Sequence, residues 1–451
     1  MAEDGRNADF VSDAETLINY EYHGVPEGKD IYSLAEDDFD RKGGGLSAEK
    51  TAEICDKCEH TDERLSAFGG RLTATAEETA CARFIRDGLS RRTSARMEAF
   101  RTSPYAGRNC CSLIAAVYLA AAVLYYISFA GGRAFGMIMS LVALLVFAAG
   151  TAAAGAMFLG ARRLVGLLPK KISYNVFGQN MPVGQQKDGN LLVIASNHDA
   201  SPGSYFANFD SVRKTVFAVA PASMLLFMLF CVIKAAVGAD TIAAIVTLTV
   251  FPCVFALAGI AALLLHFSPF KRHARENSGA GTSVALALYE YLLDRPDLLP
   301  DGMRVCFVSF GGENSAHAGS RAFAAAHPEI KGAKAIVFGD INGGDFRLIR
   351  KDALRGIQFS RVSATAVTAA SEKCGVPCKV MSAEGVKSKL NALHGYSAAA
   401  LAEAGCDTVM FTAKDYGASE SGTTREDTGR LFALALNTVL ELTEDNDERR
   451  K

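Results

Sequence analysis

Hydrophobic positions along this 451-residue chain follow two regimes. Four long stretches carry no charge: 109–132, 134–161, 215–233 and 241–265. Each is close to or above the ~20 residues with which a helix crosses a ~30 Å hydrocarbon layer. Short connectors, Gly131 to Arg133 and Gly238 to Asp240, join them pairwise. The pattern predicts two transmembrane helical hairpins, 111–161 and 215–267. Small residues such as Gly150, Ala154 and Gly155 suit close helix packing. The runs lack the buried charges of an ion or substrate path, so they read as anchors.

Elsewhere the apolar residues come in short runs or at helical spacing. Leu191 to Ser196, Arg304 to Phe310, Ala335 to Phe338, Cys378 to Ser382 and Thr408 to Thr412 read as buried strands. Helical spacing covers 281–294, 317–326, 362–374, 396–405 and 426–442. Buried strands alternating with helices predict a three-layer α/β/α sandwich on a largely parallel mixed sheet, which the two hairpins interrupt. Ligands in such sheets bind at the carboxyl ends of the strands. Three strands end there in loops rich in acids or amides: 197–203, 311–314 and 339–343.

Composition sharpens this picture. With 49% hydrophobic and 21% charged residues the chain is a folding sequence. A net charge of −2 offers no footprint for nucleic acid. Basic residues crowd one side of the predicted spans, from Arg96, Arg101 and Arg108 through Arg162, Arg163, Lys170, Lys171, Arg213 and Lys214 to Lys271, Arg272 and Arg275. The other side has Arg133, with Lys234 just inside the third span. This asymmetry predicts a multi-pass integral cell membrane protein with its polar mass and both termini in the cytoplasm. The first apolar run starts near residue 110, so a signal peptide is not expected, and the 11 Cys read as free thiols. Cys55-x-x-Cys58 with His60 lacks the second pair of a zinc site. Residues 1–45 form an acidic, flexible tail and 444–451 a charged, solvated end. The folded sequence is thereby divided into 46–110, 162–214 and 268–443.

Several motifs, in order, resemble the co-catalytic di-zinc aminopeptidases, the family that includes bacterial leucyl aminopeptidases and glutaminyl-cyclase-like proteins. Leu65 to Glu77 looks like the family's N-terminal helical lead-in. Val193 to Asp199 lies where the family has a strand ending in His-x-Asp-Ser. Asn277 to Val284 is similar to its turn into a helix, and Phe310 to Phe323 to its Phe-x-x-Glu-Glu-x-x-x-x-Gly-Ser. Gly339 to Asn342 resembles the later strand ending in Asp, and Thr423 to Thr428 its closing His-Thr-x-x-Asp-Thr.

The resemblance implies two zinc ions bridged by a carboxylate and a water, with a Glu as general base. Carried over residue by residue, Glu313 stands at the general base and Asp199 at the carboxylate that orients the first His. Asp340 is the one metal ligand kept. Asn197, Asn277, Asn314 and Thr423 occupy the other four ligand positions. Neutral amides are weak zinc ligands beside imidazole, thiolate and carboxylate. A rearranged single-metal site would draw on some of Asp340, Glu313, Glu276 and His198; His317 and His394 are also nearby in sequence. Two expectations follow. The first is a membrane-anchored pseudopeptidase that binds a peptide or partner protein in its cleft and needs no cofactor. The alternative is an active metal-dependent aminopeptidase, zinc-loaded through a rearranged site at the cytoplasmic membrane face. Because the second hairpin separates the Asn197 and Asn277 loops, the crevice is expected close to the bilayer.

Overall fold

A computed structural model of the chain describes residues 38–106, 110–158, 162–180, 191–200, 210–266, 279–352, 356–381, 396–414 and 423–448. Residues 1–39 separate from one compact unit, Asp40–Lys451. The expected flexible tail lies outside the described residues up to 37. Within its last part, Gly44 O accepts from Asn437 Nδ2 at 2.8 Å.

Eight strands form the main sheet: β1 Ser94–Thr102, β2 Lys171–Gln179, β3 Leu191–Asn197, β4 Arg304–Phe310, β5 Lys334–Asn342, β6 Phe346–Ile349, β7 Lys379–Met381 and β8 Asp407–Lys414. Their order is β7-β6-β8-β5-β3-β4-β2-β1. Pairs β8/β5, β5/β3, β3/β4 and β7/β6 are parallel; β6/β8, β4/β2 and β2/β1 are antiparallel. The central strands β3 and β4 are apolar and buried almost throughout, as strands covered on both faces must be. Strand β1 alternates exposed and half-buried positions, as an edge strand does.

Helices cover both faces. On one, α8 (Ala318–Ala326) and α10 (Ser397–Glu403) pack on the cluster holding Val193, Val308, Phe323, Val337 and Leu401. On the other, α7 (Ala280–Asp294) lies on β3, β4 and β5 and is backed by α1 (Ala48–Ala67) and α11 (Arg425–Glu448), with α9 (Arg361–Cys374) against α11. Helix α2 (Ala76–Leu89) packs on β1 and β2. The expected sandwich is present. Helix α11 runs to Glu448, past the predicted start of the charged end.

Four apolar helices form a separate bundle: α3 Cys110–Ile127, α4 Arg133–Phe158, α5 Asp210–Val237 and α6 Ile242–His266. Three have spans long and apolar enough to cross a membrane, Arg133–Met157, Ala218–Val237 and Ile242–Leu265. The fourth, α3, is shorter, with 18 residues. Aromatic and small residues fill the bundle core: Tyr118, Tyr125, Phe147 and Phe227 are fully buried. Tyr125 Oη donates to Leu248 O at 2.7 Å, Tyr126 Oη to Thr249 O at 2.8 Å and Tyr118 Oη to Ser223 O at 3.0 Å. Gly259 is required where the Tyr118 ring crosses, because a Cβ there would lie 2.5 Å from Cε1. Large apolar side chains point outward instead, including Leu145, Leu225 and Leu257 at about two-thirds exposed. That inversion suits a lipid solvent.

The connectors of the two hairpins meet, with Arg133 Nη1 3.2 Å from Asp240 Oδ2. Pro221 lies inside α5 and Pro252 inside α6. Lys234 is buried within the bundle; its Nζ donates to Ser128 Oγ and to Tyr125 O (3.4 Å) near the end of α3. A cation suits the negative end of a helix dipole.

Candidate functional site

The candidate site lies at the carboxyl ends of the neighbouring parallel strands β3, β4 and β5. One loop dominates it. After β4, Gly311 to Ser315 turns sharply: Gly312 has φ +61°, and Ala316 and His317 adopt left-handed φ of +57° and +55°. For residues with a Cβ these angles carry strain. Carboxylates from different elements hold the turn. Glu78 Oε1 accepts from Gly312 N at 2.8 Å, and Asp199 Oδ2 accepts from Asn314 N at 2.9 Å. Glu313 accepts from Ser320 N at 2.6 Å and from Ser320 Oγ at 3.1 Å.

Asp199 is buried and also accepts from Asn314 Nδ2 at 3.1 Å and Thr73 Oγ1 at 3.2 Å. Burial raises its carboxyl; the Asn314 donors oppose this, and the nearby Glu313 charge adds to it. Glu78 is raised for the same leading reason, with Asp199 adding repulsion. Two buried acids in one site thus hold their protons far more tightly than in water.

Glu313, the expected general base, is buried at 4% exposure and faces the start of α8. One oxygen lies 2.9 Å from His317 Nδ1. A carboxylate beside helix N-terminal N–H groups is stabilised by them, so the geometry displays a helix-capping role. Asn314, where the sequence resemblance implies a ligand, uses its amide as a donor to Asp199.

Asn197, Asp340 and Thr423 form a second group. Asn197 ends β3, and its carbonyl accepts from Thr282 Oγ1 at 2.8 Å in the first turn of α7. Gly281 lets that turn touch β5, because a Cβ there would lie 2.8 Å from Gly339 O. Asp340 sits next along β5 and is half-buried, its carbonyl accepting from Thr412 Oγ1 at 2.8 Å. Thr423 Oγ1 donates to Ile341 O at 3.3 Å. Asn277, Glu276 and His394 lie outside the described residues.

His198 turns away from this group. Its Nδ1 is 2.9 Å from Ser309 Oγ on β4, and burial together with the Arg71 charge pulls its pKa down to about 3. Its Nε2 is buried without a hydrogen-bond partner among the described residues. His317 is engaged with Glu313. Cys55 and Cys58 are buried free thiols.

Among the described residues, the side chains at the positions where the resemblance implies ligands do not fit a di-zinc centre. Asn314 is committed to Asp199, Thr423 to a backbone carbonyl, and Glu313 to Ser320 and His317. Among the described residues no cluster of three or more His, Cys, Asp or Glu is arranged to hold a metal ion.

Glu78, Thr73 and Arg71 are site residues that motif reading misses. Thr75-x-x-Glu78 has the spacing of a helix N-terminal capping pair, and Thr75 Oγ1 does accept from Glu78 N at 3.3 Å. That signal reveals a helix start and nothing about Gly312. Arg71 is buried, and its carbonyl accepts from Ala200 N at 2.7 Å, closing the lead-in segment over the Asn197 loop.

No known sequence family matches the chain, and no curated protein matches it. Among solved structures it is similar to a zinc aminopeptidase from Bacillus subtilis, at 13% identity and a TM-score of 0.47 over 86% of this chain and 95% of that one. It is similar to a Zn-dependent exopeptidase from Parabacteroides distasonis, at 11% identity and 0.44 over 85% and 97%. A glutaminyl cyclase from an Acidobacteriales bacterium is similar at 12% identity and 0.44 over 94% and 100%.

Proposed function

We propose that this chain is a membrane-anchored, aminopeptidase-like protein whose crevice binds a peptide or protein segment without two-metal hydrolysis. The order of motifs along the chain supports the aminopeptidase-like reading. One observation carries the non-hydrolytic part: Asn314, at a ligand position, donates its side-chain amide to buried Asp199. A metal-binding carboxylate there would repel Asp199. An extended chain would find an acceptor at the strand ends in half-buried Asp340.

Membrane anchoring is supported by the outward-facing apolar side chains of the bundle. Closeness of the crevice to the bilayer is supported by Ser315, whose Oγ donates to Ser103 O and accepts from Thr102 Oγ1 at 2.9 Å. Those residues immediately precede the first apolar helix. The cytoplasmic orientation rests on the basic residues flanking the spans.

The test uses the full chain purified in lipid nanodiscs. Metal analysis after dialysis against zinc is paired with hydrolysis of aminoacyl-coumarin substrates and with photo-crosslinking to a peptide library. The expected result is less than one zinc per chain, no metal-stimulated hydrolysis, and crosslinks to the 197–200 or 311–315 loops. Two zinc ions with zinc-dependent turnover would refute the proposal and establish an active aminopeptidase.

A further inference from the structure

No acidic residue occurs between Glu98 and Asp188, a stretch that contains the ends of β1 and β2 facing the first hairpin as well as that hairpin itself. Toward the start of β1 the cations are paired: Arg92 with Asp294 at 2.8 Å and Arg96 with Glu98 at 2.8 Å. Beyond Glu98 the pairing stops. Arg101, Lys170 and Lys171 are exposed, and among the described residues none of them is in an ion pair.

Apolar side chains stand beside these cations. Arg101 is opposite Ile172 in the β1/β2 register, so both point to the same face of the sheet. Ile172 is 53% exposed, Tyr105 46% and Leu167 81%. Exposed cations interleaved with exposed aliphatic and aromatic groups are the composition of a membrane-interface surface. The position agrees. Cys110 opens α3 eight residues after Thr102, which keeps this edge within about 28 Å of the bundle.

We infer that this edge is a docking platform for anionic lipid headgroups, with Arg101 and Lys170 contacting phosphate and with Tyr105, Leu167 and Ile172 seated at the acyl boundary. The platform rests on the membrane reading above. Its inner face gives it a consequence for the crevice. Thr102 bonds Ser315, Ser173 Oγ donates to Glu78 at 2.9 Å, and the Phe100 ring lies against Gly312. Lipid on the outer face therefore bears on the strands that hold the Glu313–Asn314 loop.

The experiment is hydrogen exchange by mass spectrometry on the full chain in nanodiscs of phosphatidylcholine alone or with about 30% phosphatidylglycerol. Each basic residue near an anionic surface contributes roughly fivefold. Segments 103–106 and 166–170 are expected to exchange at least about tenfold more slowly in the anionic discs. R101Q/K170Q, whose changes are both at exposed positions, is expected to lose that difference. Equal exchange in the two lipids, with 133–157, 218–237 and 242–265 protected in both, would overturn the platform and leave the membrane reading intact. Free exchange of those helices would overturn both. Equal protection from inorganic phosphate added to neutral discs would overturn the lipid assignment.

Discussion

Replacing Asn314 by Glu restores the residue type that the aminopeptidase resemblance implies, and it tests the reasoning about Asp199 directly. The backbone bond from Asn314 N to Asp199 survives, but the side-chain donation at 3.1 Å is lost. A hydrogen bond of this kind is worth about 1 kcal/mol to a protonated acid and about 1.5–3 kcal/mol to a carboxylate. The new carboxylate also stands near Asp199 and Glu313. Two unit charges ~5 Å apart at an effective dielectric of ~20 repel by about 3 kcal/mol. Protonation of one acid caps this cost, so the combined destabilisation is about 3–4 kcal/mol. At about 1–2 °C per kcal/mol for a folded part of this size, Tm should fall by roughly 3–8 °C. The chain has no Trp, so unfolding is best followed with a thiol-reactive dye that reads buried Cys81 and Cys306. Asn314→Gln, which keeps an amide, should melt closer to the parent. A Glu variant within about 2 °C of the parent, or one that zinc stabilises strongly, would refute the view that this position serves Asp199.

Three further outcomes follow from the same geometry. Gly281→Ala should cost about 1–3 kcal/mol, because its Cβ would lie 2.8 Å from Gly339 O and lever α7 off β5; an unchanged melt would show that the contact is loose. Buried titratable groups of opposite sign should make stability depend on pH. His198, neutral with a folded pKa of about 3, destabilises the fold as pH drops below the ordinary histidine value near 6.5, since the unfolded chain then takes up a proton that the folded one refuses. His327 is opposite in sign. Bonded to Glu98 and Glu329, it has a raised folded pKa, so its contribution is complete below about 6.5 and is lost as pH rises through that folded value. His327→Gln should flatten the alkaline limb in a melt-versus-pH series, though not abolish it, because raised Asp199 and Glu78 slope the same way; an unaltered limb would remove His327 from the account. Tyr125→Phe deletes the 2.7 Å bond to Leu248 O and should lower bundle stability in detergent titration by about 0.6–1.7 kcal/mol.

Local pattern sufficed for the elements that are extreme in composition. The four uncharged runs are the four bundle helices, and the buried runs at 191–196, 304–310 and 408–412 are the heart of the sheet, because burial on both faces admits only apolar residues. Strands β1 and β2 escaped notice for the converse reason. Ser94 to Thr102 alternates apolar residues with Arg96, Glu98 and Arg101 at a half-exposed edge, and it becomes a strand only by pairing with β2.

The site shows the same division. Residue order alone placed Glu313, Asp199 and Asp340 at strand ends, and amides and a threonine stand where the resemblance implies ligands. What those groups do was decided in three dimensions. Glu78, separated from Gly312 by more than two hundred residues, reaches the same loop as Asp199, and Glu313 turns into the start of α8. A carboxylate's partners and its proton affinity depend on burial and on donors within about 3 Å. Spacing along the chain carries no record of either.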